Sequence, residues 1–232
     1  MISFANYRNL NRCLNYAMSR NALAVNFSPP EAAEFRGESY KSSCQILACP
    51  EIIENNLVND SAYDYYTFYK NLSEEFTCVK SVGVYRLFKE KSNYIQAINT
   101  CMSLNGDLAQ VQSDVLTNSL GTLISGKIKN WTKIAFIGLD DYWSKKGNFI
   151  TSFGNRLNCY KYRAWAPGHP RLNKRKHCVV LDGNKTWKIV GCRDRLPFLC
   201  EIYPYLPLKS DKSKDCSTFN DMGWFFLCVG LI

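Results

Sequence analysis

The stretch from Trp165 to Cys200 concentrates the side chains that could do chemistry. It holds Cys178, Cys192 and Cys200, Trp165 and Trp187, His169 and His177, and a dense basic set: Arg171, Lys174, Arg175, Lys176, Lys185, Lys188, Arg193 and Arg195. Such a set can recognise sulfate, phosphate or carboxylate, Arg through paired hydrogen bonds and Lys as a point charge. The alternative is a solvated basic loop that adds solubility and nothing else. Catalysis fits poorly. His169 and His177 are the only histidines in the chain, and zinc would need two further ligands at suitable spacing. His177 and Cys178 form a nucleophile pair only if that cysteine is a free thiol. Asp140 and Asp141 are neighbours, so on a strand their side chains diverge instead of flanking one bond. The chain reads as a non-enzyme with no cofactor and no metal site.

The bulk properties narrow the setting. At 232 residues, 46% hydrophobic and 14% aromatic, the chain holds one large or two modest globular domains. Eleven cysteines without any CxxC pair point to disulfides and an oxidising, extracellular compartment. Five N-x-[ST] sites, at Asn26, Asn59, Asn71, Asn130 and Asn184, agree with secretion, although Pro29 weakens the first. The opening MISFANYRNLNRC has no apolar signal core, so the sequence reads as incomplete at its start. No run approaches the roughly 18 apolar residues of a membrane span. The net charge of +9 is uneven: residues 1–77 carry −3, residues 78–203 carry +12 and the tail carries 0. A field of that sign favours sulfated glycans, phospholipid surfaces or acidic proteins, and an oxidised protein rarely meets nucleic acid.

The elements that must position these residues follow from periodicity. Residues 1–70 read as a small disulfide-clipped α+β module: a helix-like stretch leads into the apolar AVNF strand, then a polar insertion, then SCQIL, with Cys13 joined to Cys44. Residues 48–77 are polar and acidic around Tyr63, Tyr65, Tyr66 and Tyr69. Aromatic residues closing a small domain explain that cluster more readily than tyrosine sulfation beside Asp64. Residues 71–77 read as a linker. From Cys78, VYRLFKE alternates like a strand. A helix follows, with Ser92 as N-cap, Tyr94, Ala97, Ile98, Cys101, Leu104 and Leu108 at helical spacing, and Asn105-Gly106 as its stop. The next helix starts at Ser113 and places Val115, Leu116, Leu120, Leu123 and Ile124 on one face. KIAFIGLDD, CVVLDG and FLCEI read as buried strands.

Tyr94-x-x-Ala97-x-x-x-Cys101, Asp107-Leu108-Ala109, Phe136-Ile137-Gly138-Leu139, Trp143, Trp165, Gly168-x-Pro170, Cys178, Trp187, Cys192 and Pro197-Phe198-Leu199-Cys200-Glu201 run in this order along residues 78–203. This pattern resembles the C-type lectin-like domain. The resemblance implies an α+β fold of two helices, small antiparallel sheets and a long loop, stapled by Cys101–Cys200 and Cys178–Cys192. The first bridge would span about a hundred residues, where chain entropy predicts about 4 to 5 kcal/mol. Trp165 and Trp187 then serve as core walls of the long loop, and Gly138 lets a neighbouring backbone approach. Cys13, Ala24-Val25-Asn26-Phe27 and Cys44-Gln45-Ile46-Leu47 resemble the apple/PAN family, with Ala17 and Ala22 where that family carries a second bridge.

Sugar-binding C-type lectins hold calcium with Glu-Pro-Asn or Gln-Pro-Asp in the long loop, a Glu before the next cysteine, and Trp-Asn-Asp on the following strand. In this sequence His169 and Arg171 flank Pro170, Lys176 precedes Cys178, and Lys188-Ile189 follows Trp187. Like unit charges about 4 Å apart cost about 4 kcal/mol at a surface-type dielectric, so this set would exclude a divalent cation. The expectation is a calcium-independent binding protein whose ligand set is His169, Arg171, Lys174, Arg175, Lys176, Lys188 and Arg193. The ligand is an anionic glycan or, alternatively, an acidic protein. Of the remaining cysteines, Cys78 would normally find a partner near Val84, so Cys49 is assigned to it, tying one module to the other. Cys216 with Cys228 would close a loop in the tail, residues 204–232. Cys159 is then left over as a candidate for a disulfide-linked oligomer.

Overall fold

The computed structural model describes residues 1, 3–35, 42–53, 56–129, 133–142, 147–171 and 177–205. Trp143, Lys174, Arg175, Lys176, Cys216 and Cys228 lie outside the described residues, so the Cys216–Cys228 expectation does too. The chain divides into two compact units, one of Met1–Arg86 with Tyr203–Tyr205, the other including Leu87–Ile202.

In the first unit, strand β1 (Ser3–Ala5) precedes helix α1 (Leu10–Ser19), followed by β2 (Ala24–Phe27), β3 (Cys44–Leu47) and β4 (Asp64–Thr67). The Asn9 side chain caps α1 by accepting from the Arg12 N–H at 3.0 Å, and Asn21 leaves the helix in the left-handed region at φ 62°. Cys13 and Ala17 form its buried face. The Cys13–Cys44 bridge ties that face to β3, as expected. Ala17 and Ala22 are both buried and adjoin through an Ala22 N–H bond to the Ala17 carbonyl at 2.9 Å. Among the described residues the four strands form one antiparallel sheet in the order β1-β3-β2-β4. Strands β5 (Phe76–Val79) and β6 (Gly83–Ser92) make a hairpin that pairs Cys78 with Val84 in register. Cys78 bonds Cys49 as assigned, but both lie in the first unit, so the bridge closes that unit instead of joining it to the other.

In the second unit, helix α2 (Tyr94–Ser103) is capped by Asn93 and not by Ser92. Asn93 accepts from the Gln96 N–H at 2.9 Å while Gln96 Oε1 accepts from the Asn93 N–H at 3.3 Å, a reciprocal capping box that Ser92 has no partner to form. Asn105 stops the helix in the left-handed region at φ 57°. Strand β7 (Gly106–Leu108) leads to α3 (Asp114–Lys127), which buries Leu116, Thr117, Leu120, Gly121 and Ile124. Val115 is 56% exposed, because the buried stripe runs in four-residue steps from Leu116 and leaves its neighbour to solvent.

The core of this unit is β8 (Ile134–Asp140), flanked antiparallel by β10 (Cys178–Asp182) and parallel by β12 (Leu196–Ile202). β9 (Ile150–Thr151) pairs with the end of β8, and β11 (Trp187–Val190) forms a hairpin with β10. A side chain on Gly138 would put its Cβ 1.9 Å from Ser152 Oγ and 2.4 Å from the Leu108 carbonyl, which is why glycine occupies the middle of this strand. The expected Cys101–Cys200 and Cys178–Cys192 bridges are present. Cys159 is disulfide-bonded rather than a free thiol, so it is not the leftover cysteine of an intermolecular bridge.

Candidate functional site

The β10–β11 hairpin carries the frame of the site. Its turn is organised by Asp182, whose Oδ1 accepts from the Thr186 N–H at 2.9 Å, with Lys185 in the left-handed region at φ 67°. The long loop returns against β11 through two backbone bonds, Trp187 N–H to the Ala164 carbonyl at 2.7 Å and Ala166 N–H to the Trp187 carbonyl at 3.0 Å. This seats the Trp165 ring edge-on to Trp187 at 5.4 Å, with Phe149 5.1 Å from Trp165 and Tyr162 5.7 Å from Trp187. Trp187 is 1% exposed and Trp165 half-buried, so both act as walls of the loop.

Two residues at the expected ligand positions meet on β11. His169 precedes a cis Pro170, and its Nδ1 accepts from the Ile189 N–H at 3.1 Å. An acceptor at Nδ1 leaves the proton on Nε2, so this imidazole is neutral in the bonded state. Lys188 is half-exposed, and its ammonium sits 2.6 Å from Oδ2 of Asp182, which is buried. Burial alone would raise the Asp182 carboxyl, but the Lys188 ammonium and the Thr186 N–H together hold it below the ordinary carboxylate value. The cation of Lys188 is therefore engaged within the fold. Arg171 is exposed beside His169 in sequence, where the long loop leaves the frame. Arg193 is exposed in the turn beyond β11, where the Cys192 carbonyl accepts from the Tyr94 N–H at 3.0 Å at the start of α2. The structure thus brings His169 to the Lys188-Ile189 step and places Arg193 on a different turn.

The carboxylates found here are structural. Asp140 Oδ2 accepts from the Tyr94 hydroxyl at 3.1 Å, while Asp141 Oδ1 is 2.9 Å from Nδ1 of His177 and its Oδ2 accepts from the Gly147 N–H at 2.9 Å. Their side chains diverge as the sequence implies, and His177 adjoins a bridged cysteine. Asp107 and Glu201 face each other across β7 and β12. Burial raises Asp107 to about 6, and burial with the Asp107 charge raises Glu201 to about 7, partly offset by the Gln110 N–H bond at 3.2 Å. Among the described residues, no three His, Cys, Asp or Glu side chains are grouped as a metal ion would require. Asp182 is the site residue that composition alone does not reveal. Its signal is the Asp-Gly at a hairpin turn with a lysine diagonally across on the facing strand.

A model of the Lectin C-type domain family matches residues 90–202. Human tetranectin is 25% identical over 131 residues, covering 54% of this chain and 64% of tetranectin. Collectin-10 of Gallus gallus is 30% identical over 119 residues, 51% of this chain and 41% of the relative. The chain therefore spans less than two thirds of either relative. The crystal structure of human lithostathine superposes with a TM-score of 0.50 at 24% identity, covering 57% of this chain and 90% of lithostathine. No helix of the described residues is long and apolar enough to cross a membrane. Residues 90–202, just under half of the chain, match the Lectin C-type domain family and have the C-type lectin-like fold.

Proposed function

We propose that the C-type lectin-like domain recognises anionic ligands, sulfated glycans first among them, and does so without calcium. The observation that carries this reading is the Lys188–Asp182 pair, which puts an ammonium on the strand where the family carries an Asn ligand. With His169 Nδ1 bonded to the Ile189 N–H, two of the positions that would supply oxygen ligands hold nitrogen groups already engaged with the protein. This set does not fit Ca²⁺, which asks for six to eight hard oxygen ligands.

Recognition then falls to Arg171, which is exposed and offers a planar donor fork, and to Lys174, Arg175 and Lys176, which follow it in sequence. Arg193 would extend the same field from its own turn, within a segment carrying +12. The disulfides support an extracellular setting. The buried Ala17 and Ala22 neighbours and the Cys13–Cys44 bridge support an apple/PAN-like identity for the first unit.

Binding of the full chain to immobilised heparin in EDTA tests the reading. Retention should weaken steeply as salt rises, since each neutralised sulfate releases counterions. Arg171→Ala should weaken it by about twofold to fivefold, the worth of one exposed, salt-screened ion pair. Calcium-dependent capture of a neutral monosaccharide at this loop, or heparin retention indifferent to salt, would overturn it. An acidic protein partner would instead appear as salt-sensitive binding to that protein with no heparin retention.

A further inference from the structure

The first unit contains a cavity of about 610 Å³, within the range of small-ligand sites. It opens on the sheet face away from α1, where Gln45, Asn26 and Tyr65 stand in one row across β3, β2 and β4. Asn26 Nδ2 donates to Gln45 Oε1 at 3.3 Å. Beyond that bond Asn26 Oδ1 remains as an acceptor and Gln45 Nε2 as a donor. Turning both amides over exchanges the roles and again leaves one of each. A neighbouring donor and acceptor of this kind complements two vicinal hydroxyl groups, each of which donates and accepts.

The rest of the lining fits the same ligand class. The Tyr65 hydroxyl accepts from the Glu51 N–H at 2.7 Å and the Tyr63 hydroxyl donates to the Ser42 carbonyl, so both rings are pinned at the cavity wall. Pinned rings offer flat faces for the C–H side of a pyranose at little entropic cost. Glu51 Oε1 is engaged by the Ile52 and Ile53 N–H groups, each at 3.1 Å, and Asp60 Oδ1 by the Ala62 N–H at 2.8 Å. Lys80 also lines the cavity, so the lining mixes both signs of charge. Asn26 begins an N-x-[ST] site, yet here its side chain is half-buried and its Nδ2, the atom that would carry a glycan, is bonded to Gln45.

We infer that this cavity is a second ligand site that takes a neutral saccharide, independent of the basic surface on the lectin-like domain. The probes are methyl α-D-galactoside, glucoside and mannoside, offered singly to the full chain in EDTA and read by saturation-transfer NMR and titration. At least one should receive saturation and bind, and saturating heparin should not displace it. Gln45→Glu keeps the acceptor for Asn26 Nδ2 but removes the outward donor, and should weaken binding about tenfold, the worth of one hydrogen bond to a buried group. Asn26→Ala should do the same, whereas Arg171→Ala should leave the glycoside affinity unchanged. Binding by none of the three glycosides would overturn the inference. So would affinities within twofold of wild type in both Gln45→Glu and Asn26→Ala, with native near-UV circular dichroism, or mass-spectrometric detection of an N-glycan on Asn26. Loss of glycoside binding in Arg171→Ala would assign the sugar to the other unit and equally overturn it.

Discussion

A half-exposed ammonium 2.6 Å from a buried carboxylate lies between a surface ion pair and a fully buried one in its effect on stability. Lys188→Met leaves Asp182 buried with the Thr186 N–H as its remaining support, and should cost about 1 to 2 kcal/mol in urea unfolding at pH 7. Because Asp182 titrates below the ordinary carboxylate value in the folded state, its contribution is present above that value and is lost as pH falls through the folded one. The gap between wild type and Lys188→Met should therefore close in acid. Glu201 has the opposite sign. Its folded value of about 7 lies above the unfolded one, so the fold gains stability as pH drops from about 7 toward 4.5 and loses it above. Glu201→Gln should flatten that dependence and stabilise the protein at pH 8 by about 1 kcal/mol, measured as urea midpoints at pH 5 and pH 8. The residue types at positions 169, 171, 176, 188 and 189 were legible directly, because a basic or apolar side chain cannot offer a carboxylate oxygen. The partners of His169 and Lys188 were not, since they depend on how the loop folds back and on the hairpin register.

Among the elements, β8 was the most legible: a short apolar run with one glycine can only be a buried strand that something crosses closely. Gly138→Ala forces a Cβ to 1.9 Å from Ser152 Oγ and 2.4 Å from the Leu108 carbonyl, and the backbone atom cannot rotate away. The expected cost is about 3 kcal/mol, read as a lowered midpoint in thermal circular dichroism, with Ser152→Gly relieving only part of it. Helix starts were legible to within a residue. Ser92 and Asn93 are both good caps, and the decision rests with Gln96, three residues after Asn93 and able to return a bond. Asn93→Ala should destabilise by about 1 kcal/mol and Ser92→Ala by much less, in the same melt. Val115 was misplaced because a helical period read over a short segment tolerates one residue of rotation. Helix α3 lies against β10 and buries Leu116 and Leu120 instead.

At the scale of the molecule, charge was fully legible, since it needs no geometry: one segment carries +12 and the first carries −3. The Cys101–Cys200 and Cys178–Cys192 pairings came from the family pattern, and Cys13–Cys44 from the small module. Cys49–Cys78 was also assigned from the sequence and is present; Cys159 was not legible, because distance in space decides its partner, and it is bonded where counting left it free. Raising salt should therefore abolish binding to a polyanion while leaving binding of a neutral glycoside in place, a contrast readable on one sample by titrating both. The bridge between Cys101 and Cys200 spans 99 positions and encloses the whole long loop. A protease that cuts once within 160–171 would leave two polypeptides that remain one covalent molecule, running as a single band on a non-reducing gel and as two after reduction. Insertions and wholesale rewriting of that loop are harmless to connectivity for the same reason, so binding specificity can drift there while the scaffold stays closed.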